Sequence, residues 1–451
     1  MRKYIYHFDT ESDFNEMRSA ENYDEPWLSL TEYNLDENIP VTDVARVDYN
    51  KTEREKLLET PLTFEIQSDG NIRWQKQSTS APTRTIEYSK DNGETWTSIT
   101  SATGDTAPSI SVVSGDTVQF RGNNSSYGTS NSYYNSFAGS TCSFSVKGNI
   151  MSLINSTDFP ALTSFSGSYN LVSFFEGCTG LTDASKLLLP ATTLTDSCYS
   201  YIFNGCTSLT QAPELPATTL ANDCYSSIFR GCTSLTQAPE LPATTLANDC
   251  YSYMFYDCTS LAQAPELPAT TLANYCYQYM FRDCTNLTQA PELPATTLAE
   301  RCYYYMFQSC SGLITGPSNI GTSATTMMPD SACTGMFQSC TSLTGAPELP
   351  VTTLAGGCYY YMFQDCTSLV NAPELPATTL VDSCYRQMFR DCTNLKYIKC
   401  LATDISANRC TYNWVNGVQT NSGTFVKNPN MTSWTTGNTG IPSGWSVQDA
   451  S

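Results

Sequence analysis

A single histidine, His7, serves the whole chain and lies in a polar, acidic N-terminal stretch, so no Ser-His-Asp or Cys-His nucleophile arrangement can be assembled. The usual His-containing zinc patterns are missing for the same reason. Basic residues are scarce as well, 23 Lys and Arg against 43 Asp and Glu for a net charge of -20. Nucleic acid is therefore excluded as a partner, because its phosphates need clustered cations, and an anionic membrane surface is equally disfavoured. No apolar stretch approaches the roughly 18 residues needed to cross a bilayer. The opening MRKYIYHFDTESDF reaches acid at Asp9 before any apolar run of signal-peptide length, so the expectation is a soluble chain made in a cytoplasm. No glycine-rich phosphate loop appears. An enzyme is not expected, no cofactor is implied, and nothing points to the carboxylate pair of a glycosidase.

What is present is a repeat. From about Leu187 to Cys410 the chain is built of head-to-tail variants of LPATTLANDCYSYMFYDCTSLAQAPE. The unit's second cysteine recurs at Cys178, Cys206, Cys232, Cys258, Cys284, Cys310, Cys340, Cys366 and Cys392, at a common spacing of 26 residues with one of 28 and one of 30. That pattern gives about nine coils of a solenoid, in which each unit buries its apolar face against its neighbours. Invariant columns mark the interior: Leu209/Leu235/Leu261, the Met254-Phe255 pair and its equivalents, and the two cysteine columns. All 20 cysteines but Cys142 fall between Cys178 and Cys410. Without an export signal the reduced form is expected, as buried free thiols, with disulfides and metal sites as the alternatives. Within the unit, LTQAPEL is the expected coil-to-coil strand, shortened by its prolines, TTLA a second extended turn, and CYSYMFYDC a helical or irregular return. Residues 311–332, with their Gly and Pro, form an aberrant coil.

Three surface columns run along this array. Glu214, Glu240, Glu266, Glu292, Glu348 and Glu374 form a carboxylate row, either solvated or bridged by cations such as calcium. A tyrosine row comprises Tyr201, Tyr253, Tyr279, Tyr305 and Tyr361, flanked by Tyr304 and Tyr360. The most variable column reads Arg230, Tyr256, Arg282, Gln308, Gln338, Gln364 and Arg390. Tyr and Arg dominate recognition surfaces, so Tyr253, Tyr279, Tyr304, Tyr305, Tyr360, Tyr361, Arg230, Tyr256, Arg282 and Arg390 are the candidate binding residues. The alternative for the tyrosines is packing between coils.

Residues 1–60 carry 15 Asp and Glu against 7 Lys and Arg, with a short helix expected over Lys51 to Glu59. This stretch reads either as a flexible solvated tail or as an anchoring arm, its contacts then made by aromatics such as Tyr4, Tyr6, Phe8 and Trp27. Residues 61–149 read as seven short strands, LTFEIQ, NIRWQKQ, TRTIEYS, ETWTSIT, SISVVS, DTVQFRG and CSFSVKG, in a small β-sandwich of immunoglobulin or fibronectin type. Within it, Ser89-Lys90-Asp91-Asn92-Gly93-Glu94-Thr95-Trp96 resembles the Asp box of sialidases, a motif that is structural in that family. The segment NNSSYGTSNSYYN, residues 123–135, reads as a polar contact loop. The solenoid is placed at 150–410. Residues 411–451, with Trp414, Trp434 and Trp445, are expected to leave the period and cap its open end.

The stretch Met254-Phe255-Tyr256-Asp257-Cys258-Thr259-Ser260-Leu261, repeated along half the chain, resembles the BspA-like leucine-rich repeat. It departs from that family in its longer coils and in prolines such as Pro265 and Pro268. The wider layout, an acidic arm, a β domain and PATTLA-type repeats closing in NPNMTSWTTG, resembles chains of gut Bacteroides-like bacteria and of the crAss-like tailed phages that infect them. The resemblance implies a mainly β, leucine-rich-repeat solenoid protein of a virion surface. It would be a head or tail fibre synthesised in the host cytoplasm, its arm docked on a capsid or tail protein and its solenoid on host surface glycan or protein. A homo-oligomer without membrane insertion is expected. A bacterial surface adhesin and a structural capsid decoration protein are the alternatives.

Overall fold

A computed structural model describes residues 51–322 and 324–451. The aromatic anchor candidates Tyr4, Tyr6, Phe8 and Trp27 lie outside the described residues. Residues 1–60 and Pro61–Ser451 are separate compact units. Of the first, the described part holds one short helix, α1 (Glu53–Glu59), started by a capping box in which Thr52 and Glu55 exchange hydrogen bonds.

In the second unit the seven anticipated segments all contain strands: β1 (Leu62–Ile66), β2 (Gly70–Arg73), β3 (Gln75–Lys76), β4 (Thr85–Ser89), β5 (Thr97–Thr100), β6 (Ser109–Val112), β7 (Thr117–Gly122) and, after β8 (Gly128–Ser130) and β9 (Tyr133–Ser136), β10 (Phe144–Asn149). They divide unequally. One sheet of six runs β11-β10-β1-β7-β4-β5, beside a two-stranded β2-β6 sheet and a three-stranded β3-β9-β8 sheet. Its edge strand β11 (Leu181–Leu188) belongs to the first coils and pairs parallel with β10, so the sheet is continuous with the solenoid. This differs from the two comparable sheets of an immunoglobulin-type sandwich. Phe64, central in β1, sits opposite Val118 and Val146 and stacks on Phe144 with ring centroids 4.5 Å apart. Phe137 and Trp74 close the same core.

One local expectation comes out differently. The 123–135 segment is a hairpin, β8 and β9, and two of its three tyrosines are buried. Tyr127 donates its hydroxyl to the Leu153 carbonyl at 2.9 Å, which anchors the hairpin to the core and removes it as a contact loop. The Asp-box segment is the β4–β5 turn: the Ser89 hydroxyl donates to Asp91 at 2.6 Å, Asp91 accepts from the Thr95 amide at 2.9 Å, and the Trp96 indole donates to the Gly93 carbonyl at 3.0 Å.

The solenoid stacks its coils through aromatic ladders. Phe203, Phe229, Phe255, Phe281 and Phe307 lie face to face at 5.4–5.7 Å, every ring buried. A second ladder, Tyr199, Tyr225, Tyr251, Tyr277 and Tyr303, runs beside it at 5.9–6.1 Å. In the next coil Cys333 follows Ala332, whose carbonyl takes the Tyr303 amide, so a thiol replaces the phenol there and interrupts the tyrosine ladder. All 20 cysteines are free and buried. Those of the second column donate across the stack, as Cys258 Sγ does to the Phe229 carbonyl at 3.1 Å and Cys284 Sγ to that of Phe255 at 3.1 Å.

The backbone ladder lies in the return, not in LTQAPEL. From Asp249 to Asp257 alternate amides reach the next coil: Tyr251 to Cys276, Tyr253 to Gln278, Phe255 to Met280 and Asp257 to Arg282, at 2.8–3.1 Å. The intervening amides close tight turns, Met254 to Tyr251 at 3.3 Å and Tyr256 to Tyr253 at 3.2 Å. The expected strand keeps only isolated bridges such as Gln237 to Gln263, with Thr245 to Thr271 in TTLA. Proline is the reason, since it has no amide to donate. Where the equivalent segment lacks proline, full strands form: β11 at one end and β12 (Tyr397–Cys400) at the other.

The C-terminal segment continues the array instead of leaving it. Phe389 and Asp391 donate to Trp414 and Asn416 as in any coil, and β12 pairs parallel with β13 (Thr424–Lys427), which pairs with β14 (Ser446–Asp449). The turn chemistry explains this, because Asn413 and Gly417 occupy the same left-handed positions as in the preceding returns. Trp414 then closes the end, against Tyr385 at 6.4 Å, Phe389 at 6.1 Å and Trp434 at 5.6 Å.

Candidate functional site: the tyrosine and arginine face

Each return holds left-handed residues four apart, as at Asp249, Tyr253 and Asp257, with φ of 54°, 57° and 60°. The middle one carries the tyrosine row. Tyr253, Tyr279 and Tyr305 have φ of 57°, 54° and 52°, a region costing an ordinary L-residue roughly 1–2 kcal/mol. The backbone there turns each side chain to the outside of the coil, and all three rings are half-buried.

The rings pack on one another. Tyr253 and Tyr279 stack at 4.7 Å, Tyr279 and Tyr305 at 5.5 Å, and Tyr304 sets its edge against Tyr305 at 4.6 Å. Their faces are thus used within the row, while edges and hydroxyls are what half-exposure leaves to solvent. Burial holds the phenols neutral, pushing Tyr279 up to about 12 and raising Tyr253 and Tyr305. The row breaks at Gly335, over which the Tyr305 ring lies so closely that a Cβ there would meet it at 2.2 Å. Beyond the break Tyr360 and Tyr361 stack at 3.7 Å.

The variable column lies alongside. Arg230 and Arg282 flank Tyr256 at 4.8 and 5.2 Å from its ring centroid, a cation on either side of one aromatic. Gln308, Gln338 and Gln364 join in an amide chain, 2.6 and 3.1 Å, that ends on Asp365. Arg390 pairs with its neighbour Asp391 at 3.1 Å, apart from the tyrosine cluster. Four residues that sequence reasoning missed join this face: Arg301 over Tyr275 and Tyr304, both at 5.5 Å, and Arg386 over Tyr360 and Tyr412, at 4.9 and 5.6 Å. One signal could have found the arginines. Between residues 187 and 395 every basic residue is an arginine of a return segment: Arg230, Arg282, Arg301, Arg386 and Arg390.

The glutamate row is exposed on a different face, with Glu292 accepting from the Ser318 amide at 3.0 Å and Glu374 paired to Lys399 at 2.9 Å. Clefts open between its proline segments, one of about 500 Å³ lined by Pro265, Glu266, Pro268, Pro291, Glu292 and Pro294. No group of three metal-ligating side chains occurs among the described residues. None of their helices is long and apolar enough to cross a membrane.

Set against known proteins, the chain matches a family model described as BspA type Leucine rich repeat region, in six copies over residues 173–314 and 330–413. No curated protein matches it.

Proposed function

Since this chain belongs to the BspA-type leucine-rich repeat family, we propose that its solenoid is an adhesive surface and that the whole chain is a phage virion fibre, of head or tail. Repeats of this type suggest surface adhesion; the fibre is the narrower reading. The observation that carries adhesion is the half-buried Tyr253, Tyr279, Tyr304 and Tyr305 cluster with Arg230 and Arg282 beside it, held outside the core on a rigid stack. Aromatics fixed in place lose little entropy on binding, which is what a recognition surface needs.

The cysteines support the narrower reading. Twenty buried free thiols, nineteen of them in the array, suit a chain that folds in a reducing cytoplasm and meets oxidising conditions only when packed. An unfolded chain threaded into an oxidising compartment would expose all of them to random pairing. In the fibre the arm of residues 1–60 docks on a capsid or tail protein, the solenoid meets host surface glycan or protein, and chains associate as a homo-oligomer. A bacterial cell-surface adhesin is the second reading, favoured by the family match itself.

The test is mass spectrometry of purified phage particles, followed by adsorption assays in the presence of the purified chain. Stoichiometric peptides together with blocked adsorption support the fibre. Peptides found in a bacterial surface fraction instead select the adhesin. Blocking absent in both settings refutes adhesion.

A further inference from the structure

We infer that the tyrosine row takes an uncharged, linear polysaccharide lying along the solenoid axis, one sugar unit per coil. This rests on the adhesion reading and narrows it.

Successive coils present the same side chain, the half-buried Tyr253, Tyr279 and Tyr305, at ring separations of 4.7 and 5.5 Å, while the buried phenylalanine ladder beneath keeps 5.6 and 5.4 Å. That interval is close to the length of one pyranose in an extended chain. A globular protein partner presents different groups at unequal intervals and gains nothing from identical contacts evenly spaced. A polymer whose own repeat matches the coil gains one contact per unit, and tethering makes each successive contact intramolecular.

The orientation of the rings decides the kind of contact. Because the ring faces are occupied by one another, a ligand meets phenol edges and hydroxyls, each hydroxyl able to donate and to accept. Burial keeps these phenols protonated across the physiological range. A polyhydroxylated chain complements such a row. Arg230 and Arg282, stacked on Tyr256 one column away, add fixed donors along the same edge. Charge selects further. Asp249 and Asp257 occupy the left-handed positions on either side of Tyr253 and Asp283 the one after Tyr279, so a polyanion would meet a carboxylate at two of the three steps, while Arg301 and Ser309 flank Tyr305. The axial direction follows from the same geometry, since the row crosses coils and a chain lying along one coil would touch a single tyrosine.

The experiment uses the full chain, immobilised. The probes are neutral, size-fractionated fragments, from disaccharide to octasaccharide, of surface polysaccharide from a cell strain to which the full chain binds, with the acidic fraction as a second arm. Affinity is expected to rise about fivefold per added unit, the worth of one net hydrogen bond of about 1 kcal/mol, and to level off once the row is spanned. Tyr279→Phe keeps the stacked ring and removes the hydroxyl; it should lower the affinity of long fragments about fivefold and leave the disaccharide little changed. Tyr279→Ala should cost more. Affinity independent of length, binding confined to the acidic fraction, or cell binding abolished by protease with no fragment bound would each overturn the inference and leave adhesion standing. Failure to bind any cell strain would overturn both.

Discussion

Trp414 closes both aromatic ladders, and its removal gives the sharpest measure of what holds the array's open end. Its side chain is fully buried, lies against Phe389, Tyr385 and Trp434, and donates its indole N–H to the Gly440 carbonyl at 2.8 Å. A buried tryptophan removes about 150–250 Å² from water, which at about 25 cal/mol per Å² is roughly 4–6 kcal/mol as an upper estimate. Measured truncations of large aromatics to alanine cost about 3–5 kcal/mol, cavity included, and the stranded carbonyl adds about 1 kcal/mol. Trp414→Ala should therefore destabilise by about 4 kcal/mol, read from urea unfolding. Because each coil contacts only its neighbours, the loss should be local. Hydrogen exchange should quicken over β12 and β13 while the amides of Tyr199 to Phe229 keep their protection. Trp414→Phe, retaining a ring, should recover most of the loss. A cost below about 1 kcal/mol, or protection lost equally at both ends, would refute the capping role and the nearest-neighbour picture together.

Asp91 is held down at about 2 by the Ser89 and Thr95 hydrogen bonds, so its contribution to the β4–β5 turn is present above the unfolded carboxylate range and lost as pH falls through 2; an NMR titration placing it near 4 would remove the Asp-box account. Asp249 behaves oppositely, since burial and then Asp223 push it up to about 6: its favourable contribution exists below about pH 4 and disappears as pH rises through 6. Asp249→Asn should accordingly stabilise the array at pH 7 by about 1 kcal/mol after discounting for partial exposure, and unchanged urea midpoints at pH 7 would contradict this. Burial raises the thiols, Cys250 and Cys302 to about 12, so Ellman's reagent should titrate almost none in the native protein and all 20 after denaturation without reductant; a deficit after denaturation would mean disulfides.

The repeat was legible because identical residues recur at one period, and the columns that barely vary, Leu261, Phe255 and Cys258 with their equivalents, are the buried ones. The ladder's location was not. LTQAPEL looks like the strand because it alternates, yet Pro265 and Pro268 leave too few amides, and pairing moved to CYSYMFYDC. There the signal is a residue tolerating positive φ every fourth position, and Asp249, Tyr253 and Asp257 do not announce it as glycines would. Composition misled at 123–135 for a related reason: Asn, Ser and Tyr suit an exposed loop and a hairpin alike, and only the long-range bond from Tyr127 to Leu153 decides between them. Arg386 and Tyr412 escaped notice because they pair across coils whose row positions, Gln387 and Asn413, no longer carry tyrosine.

The same geometry bears on why tyrosine stands in that row at all. In the left-handed region glycine or asparagine is the less costly choice, as at Gly335 and Asn413. Each tyrosine there gives up roughly 1–2 kcal/mol, while stacking on a neighbour returns about 0.5–1.5 kcal/mol. For Tyr253, Tyr279 and Tyr305 strain and stacking nearly cancel, and the area each half-buried ring removes from water would be gained equally by phenylalanine, so stability alone supplies no reason for the hydroxyls. Three coils that hold this costly side chain at a spacing of about one sugar unit are better explained by what the row presents outward. Replacing all three by phenylalanine, which keeps strain, stacking and burial, should consequently leave the unfolding free energy within about 1 kcal/mol of the parent and sharply weaken cell binding. A large fall in stability would instead make the row a packing element.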